Sequence, residues 1–266
     1  ARNYLHLTEQ KYDAIMSDCT GMTLFAENGS LFTKDYFKCA QEHLNEHGLF
    51  MSWIDTYWLG STPIVNSVIG TVMETFPYVT LWCPTPEPLG FFVIVGSMEP
   101  QQFSLQHLLR EFDKPAVRDS LAKITLCDAA DIFRCYVADQ NDIRRFVRQY
   151  TVNTDDEPFI EFTTVYEPAG RSFSAPVDRG GRATLRAFLQ TVASNSLYPH
   201  LDWSGLDAAT RARWLERITK VREVALHLQM AQIATMQDES LLHCMDGLRI
   251  IPDYPALWAM KGWIER

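Results

Sequence analysis

The 266-residue sequence predicts an α/β domain built on a parallel sheet, followed by an all-α helical region. Three observations support that class. Through residue 97, short apolar runs alternate with longer segments whose apolar residues recur at helical spacing, and such alternation covers both faces of a parallel sheet with helices. After Pro100 the texture changes to short amphipathic segments. From Ala183 onward almost the whole chain has helical periodicity.

The first strand is DAIMS, residues 13–17, an apolar run suited to burial. A helix is expected through LFTKDYFKCAQEHLNEHG, residues 31–48, with Gly48 as its C-terminal stop. A second strand, LFMSWID, follows at residues 49–55, then a helical pattern through PIVNSVIGTVMETF, residues 63–76. YVTLWC, residues 78–83, and FFVIVGS, residues 91–97, read as strands joined by the Pro-broken loop PTPEPLG. Four short helices are expected at Leu105 to Phe112, Ala116 to Ile124, Ala129 to Tyr136 and Asp142 to Tyr150. NTDDEPFIEF, residues 153–162, ends in a short apolar segment, and the Gly-rich EPAGRSFSAPVDRGGR reads as a linker. These patterns divide the chain into an α/β part over residues 1–165, a linker over 166–182 and a helical region over 183–266.

Composition narrows the function classes. A net charge of −9 and a pI near 5.3 oppose an electrostatic grip on nucleic acid or an anionic membrane. The longest apolar stretch, LGFFVIVG, is far short of the roughly 20 residues that span a bilayer. The six cysteines, at 19, 39, 83, 127, 135 and 244, form no C-x-x-C pair, so they are expected to be reduced, mostly buried thiols in a cytoplasmic protein. The opening ARNYLHL has no initiator Met and enters an ordered-looking pattern at once, so the chain reads as a piece of a longer one.

Asp18 is the foremost candidate for chemistry. It follows the first strand, and ligands of open α/β sheets bind beyond the carboxyl ends of strands. The alternative is a turn residue with no further role. HLNEH, His43 to His47, matches a zinc-protease pattern, but it would close a helix where His beside the C-terminal dipole is favourable without a metal. No third ligand is placed by the sequence, and no metal is expected. G-x-S-x-G, Walker and G-x-G-x-x-G motifs are absent. NTDDEPF either orders a loop through side-chain to backbone hydrogen bonds or presents Asp155 and Asp156 to a cation. PTPEPLG, carrying Glu87, stands where it could wall a pocket. Near the C-terminus, the small residues Ala225, Ala231 and Ala234, then Pro252, Ala256 and Gly262, resemble a tetratricopeptide unit, with a generic helical hairpin as the alternative.

Taken in order, ARNYLHLTEQKYDAIMSD, SLFTKDYFKCAQEHLNEHGLFMSW, FPYVTLW, GFFVIVGSMEP and NTDDEPFIEF resemble the second half of the spermidine synthase (polyamine aminopropyltransferase) family, over residues 1 to about 165. The likeness lies in the series rather than in one motif. It implies a partial Rossmann-like, methyltransferase-type sheet. It also implies transfer of an aminopropyl group from decarboxylated S-adenosylmethionine to a diamine such as putrescine.

In the family an acid-small-small-acid-Pro segment follows the first of these strands. Its first acid, the proton acceptor, falls on Asp18; its second falls on Gly21 and its Pro on Met22. Trp53 stands near a position where the family commonly has Gln. Asp55 or Glu87, with Asp155 and Asp156, are then the candidates for holding the cationic amine. The glycine-rich nucleotide loop and the ribose-binding acid would lie ahead of Ala1, so cofactor-binding residues are unknown. The chain alone is expected neither to bind the nucleotide nor to turn over. Two alternatives stay open: a non-catalytic scaffold derived from a synthase, and a methyltransferase acting on another small acceptor. Partners are expected to be a small cationic amine and either a second copy or another protein on the helical tail.

Overall fold

A computed structural model describes residues 2–18, 26–55, 62–84, 91–166, 186, 188–192, 196–234 and 236–265. Two compact units share them. One gathers the described residues of Ala1–Trp82, Gly90–Pro100 and Ala138–Ala193, the other those of Cys83–Leu89, Gln101–Val137 and Ser194–Arg266. The units interleave along the chain, where the sequence had suggested a single cut after residue 165. Residues 101–137 join the tail rather than the sheet that precedes them. The proposed linker lies, from residue 167, outside the described residues.

The first unit is α/β. Helix α1 (Arg2–Leu7) leads into strand β1 (Tyr12–Ser17), then α2 (Lys34–Glu42), β2 (Leu44–Asp55), α3 (Thr62–Met73), β3 (Tyr78–Trp82) and β4 (Phe91–Ser97). With β6 (Tyr136–Asp139) these strands form a sheet in the order β1-β2-β4-β3-β6. β1 and β2 are parallel, whereas β4 lies antiparallel to both β2 and β3. Hence β1, β2 and β3 point one way and β4 is reversed, which corrects the all-parallel expectation. The reason is chain length: only residues 83–90 separate β3 from β4, and a parallel crossover takes a dozen or more residues.

The core of this unit follows from the sequence periods. On α2, Tyr36, Phe37, Cys39 and Ala40 are buried at helical spacing. Along β2, Phe50, Ser52 and Ile54 alternate into the same interior. Phe50 stacks on Phe76 with centroids 5.3 Å apart and meets Phe37 edge-on at 5.3 Å. Helix α2 starts at Thr33, whose hydroxyl accepts the Tyr36 N–H at 3.2 Å.

The helix stops at Glu42, not at Gly48. Leu44 already pairs with Tyr12 in the sheet, and the next pairing, Ala14 with Leu49, leaves residues 45–48 as an excursion from β2. His47 takes φ 63° there. Gly48 serves a close approach rather than a helix stop: a Cβ on it would lie 2.8 Å from the Asn45 carbonyl oxygen. β1 is also only half-buried. Ile15 and Ser17 face inward, and Met16 is exposed.

The second unit is mainly helical. It includes β5 (Phe103–Ser104), α4 (Leu105–Phe112), α5 (Pro115–Ala122) and a 3-10 helix over Ala129–Cys135. That short helix, expected as an α-helix, is started by a capping box of Asp128 and Asp131. After β6, helix α6 (Gln140–Phe146) belongs to the first unit and covers the start of the helix expected over Asp142 to Tyr150, stopping at Phe146. Helix α7 (Phe159–Tyr166) follows in the first unit. The tail adds β7 (Leu201–Asp202), parallel to β5, and helices α8 (Ala208–Ile233), α9 (Gln237–Ile250) and α10 (Pro255–Ile264). Val224, Leu228, Ala231, Cys244, Tyr254, Leu257 and Ile264 form their shared core. No helix among the described residues is long and apolar enough to cross a membrane. Cys39, Cys83, Cys127, Cys135 and Cys244 are free thiols, all but Cys127 buried.

Candidate functional site

The register of the sheet places its catalytic candidates. Ser17 pairs with Ser52, which pairs with Ile94, which pairs with Leu81. All four are buried, so the row lies against the core. One step further, Val93 sits between Trp53 and Trp82 and their side chains take the opposite face. Asp18 is the first residue beyond this end of β1, and it is exposed. The same end receives the last residue of β2, Asp55, which pairs with Phe91. Thus β1, β2 and β3 finish together at one edge, with Asp18 and Asp55 beyond the rows of Ser17, Ser52, Trp53 and Trp82.

Two features of this edge were not singled out from sequence. The Ser52 hydroxyl is buried and has no hydrogen-bond partner among the described residues, a condition that native interiors rarely tolerate without a reason. The signal was present in LFMSWID, where Ser52 alternates with Phe50 and Ile54 and so must face the core. Trp82 is the second. Its indole N–H donates to Thr80 Oγ1 at 2.8 Å, and it flanks Val93 opposite Trp53.

Helix α2 ends just before β2 begins, so its N-terminus points back to the edge that carries Asp18. There the NTDDEPF segment is tied down. Asn153 is buried; its Nδ2 donates to the carbonyls of Gly29 at 3.3 Å and Phe32 at 3.1 Å, and its Oδ1 accepts the Ile160 N–H at 3.1 Å. Its backbone N–H donates to Thr71 Oγ1 at 2.9 Å, and its carbonyl accepts the Lys34 N–H at 2.8 Å. The segment therefore orders a loop. Asp155 is engaged as well: its carboxylate pairs with Arg2, and its N–H donates to Asp35 Oδ2 at 2.9 Å. The hydrogen bond from Arg2 holds the Asp155 carboxyl below the usual carboxylate range. Asp156 is exposed. Gly21, Met22 and Glu87 lie outside the described residues, as does the Asp55 side chain. Of the acids in this neighbourhood Asp155 is neutralised by Arg2, and Asp18 and Asp156 are exposed.

The zinc-like motif does not assemble as written. His43 Nδ1 lies 2.7 Å from the Cys39 carbonyl and Nε2 2.9 Å from the Thr8 carbonyl, so both nitrogens are engaged. His47 instead meets Glu99, Nδ1 to Oε2 at 2.5 Å, beside Glu46 and at the opposite edge of the sheet. Glu46, His47 and Glu99 bring their ligand atoms within 4.8 Å of one another, but all three are exposed. In the second unit a cavity of about 400 Å³ is lined by Asp128, Arg213, Trp214, Glu216, Arg217 and Lys220.

The geometry thus defines an α/β sheet with Asp18 and the backbone of Asp55 at the carboxyl ends of its co-directed strands. Residues 1–106 match the family profile of the spermine/spermidine synthase domain, which bears out the resemblance over that span. The match includes Asp18, Ser52, Trp53, Asp55, Trp82 and Glu87, and ends before Asp155 and Asp156. Among solved structures, the chain is similar to a probable spermidine synthase from Corynebacterium glutamicum at 18% identity. That alignment covers 58% of this chain and 51% of the other, with a TM-score of 0.39. The chain therefore spans about half the length of that relative. None of the curated proteins matches it.

Proposed function

We propose that this chain is the second half of a polyamine aminopropyltransferase-like domain, with Asp18 as the proton acceptor of the intact protein. The single observation that carries this reading is the position of Asp18: one residue beyond β1, at the edge where three co-directed strands end, and within the span that matches the synthase profile.

In such a reaction the lone pair of a neutral primary amine attacks the aminopropyl carbon attached to the sulfonium of decarboxylated S-adenosylmethionine. The carbon–sulfur bond breaks and its electrons go to sulfur, giving neutral methylthioadenosine. That amine becomes neutral by passing the proton of its ammonium form to an exposed carboxylate such as Asp18, and after the attack its nitrogen is left as a charged secondary ammonium. The far ammonium of the diamine must stay charged. Trp53 and Trp82, half-buried on one face beside the same edge, offer it aromatic rings. In-line placement of the amine supplies much of the remaining acceleration.

The reading assigns the nucleotide-binding half to chain preceding this span, and β1, first in the strand order, is the edge on which its strands would add. The isolated chain is then inactive. A reducing, cytoplasmic setting suits the free thiols. The helical tail, read as tetratricopeptide-like, serves contact with another protein or a second copy.

One departure in the sequence favours a second reading. By the resemblance, the family's second acid falls on Gly21, which suits a non-catalytic scaffold or a methyltransferase that needs no paired acids. The intact protein, assayed with decarboxylated S-adenosylmethionine and putrescine, decides between them. Formation of spermidine and methylthioadenosine supports the transferase. Methyl transfer from S-adenosylmethionine to a small acceptor, or polyamine binding by calorimetry without turnover, supports the alternatives.

A further inference from the structure

Helices α8 and α9 place two histidines face to face. His227 Nδ1 and His243 Nδ1 lie 3.3 Å apart, with ring centroids at 5.6 Å. As a hydrogen bond the contact is long, because N–H donors sit about 2.7–3.2 Å from their acceptors. As one edge of a tetrahedral metal site it fits: two nitrogens each 2.0–2.1 Å from Zn²⁺ are about 3.3–3.4 Å apart. Both rings are half-buried, and the helices that carry them are fixed from beneath by Val224, Leu228, Cys244 and Leu257. The close approach depends on Gly247, where a Cβ would come within 3.2 Å of the His227 Cβ and 2.4 Å of Leu257 Cδ1.

We propose that His227 and His243 form a two-histidine clamp for a divalent transition ion of the Zn²⁺, Ni²⁺ or Cu²⁺ class, joining α8 to α9. Neutral imidazole is the ligand type such ions share. Cys244, next in sequence to His243, is buried in the helical core and is not a ligand. Among the described residues no third His, Cys, Asp or Glu completes a cluster here, so water or an incoming ligand fills the other positions. The site rests on tail geometry alone and does not depend on aminopropyl transfer.

Zinc chloride titrated into the untagged full-length protein tests this by thermal melting. The expected result is a rise of roughly 2–4 °C that grows with the logarithm of zinc concentration. It is lost in both His227→Gln and His243→Gln, and kept in His47→Asn, which disables the exposed Glu46–His47–Glu99 group. No shift in the wild type, a shift retained in either tail variant, or one lost in His47→Asn overturns the proposal. If a tail variant fails to fold, electron paramagnetic resonance of Cu²⁺ bound to the wild type and to His47→Asn decides. Coupling to two imidazole nitrogens in both supports the clamp, and coupling to one or none overturns it.

Discussion

Replacing Asn153 by Ala tests whether NTDDEPF is a structural loop rather than a carboxylate display. The variant keeps both backbone bonds of residue 153 but removes three side-chain bonds, leaving the carbonyls of Gly29 and Phe32 and the Ile160 N–H without those partners. An unmet buried donor costs about 1–3 kcal/mol, and carbonyls with a second lone pair cost less, so the total is about 2–4 kcal/mol. Asn153→Asp should be at least as harmful: it keeps an acceptor for Ile160 but turns both donors into an anion facing two carbonyl oxygens. Because the chain has two units, the measurement should be local. Amide hydrogen exchange at Ile160 and along α2 should accelerate by about 30-fold or more, the equivalent of about 2 kcal/mol at 1.4 kcal/mol per decade. Less than a threefold change, or an Asp variant as protected as the wild type, would refute the reasoning.

Other consequences follow from the same unit. Ser52→Ala removes a buried hydroxyl that has no partner among the described residues, so the variant should be as stable as the wild type or gain up to about 1 kcal/mol in urea denaturation. A fall in activity of the intact protein without loss of stability would mark Ser52 as part of the site. Arg2 holds the Asp155 carboxyl below its ordinary value, so the pair stabilises the fold fully above the unfolded carboxylate pKa near 4 and loses that contribution as pH falls through the lower folded value. Arg2→Gln should therefore be less stable than the wild type at neutral pH, with the gap closing below about pH 4. A gap that does not depend on pH would contradict the pairing.

The strands were legible where alternation was clean and the flanks were turns, as at residues 91–97, and α4 falls on Leu105–Phe112 as its pattern predicts. The reversed β4 was also written in the sequence, in a connection too short for a crossover, but apolar runs alone do not show direction. The pattern predicts helices over Ala129 to Tyr136 and Asp142 to Tyr150 and leaves most of β6 unassigned between them, because the run YVAD is too short to show alternation. The overlooked signal was Asp139, whose side chain accepts the N–H groups of Asn141 and Asp142 and starts α6 there. His43 and His47 share a helix only if α2 runs to Gly48, and it ends at Glu42. Spacing could place Asp18 at the end of β1. It could not show that Asp155 is taken up by Arg2, since that contact joins residues 153 positions apart.

The central claim is that Asp18 accepts the proton in amine alkylation, and single-turnover kinetics of the intact protein with decarboxylated S-adenosylmethionine and putrescine tests it most directly. Asp18→Asn should slow formation of methylthioadenosine by about 10²–10⁴-fold with little change in nucleotide binding. An Asn variant that turns over at the wild-type rate would contradict the account.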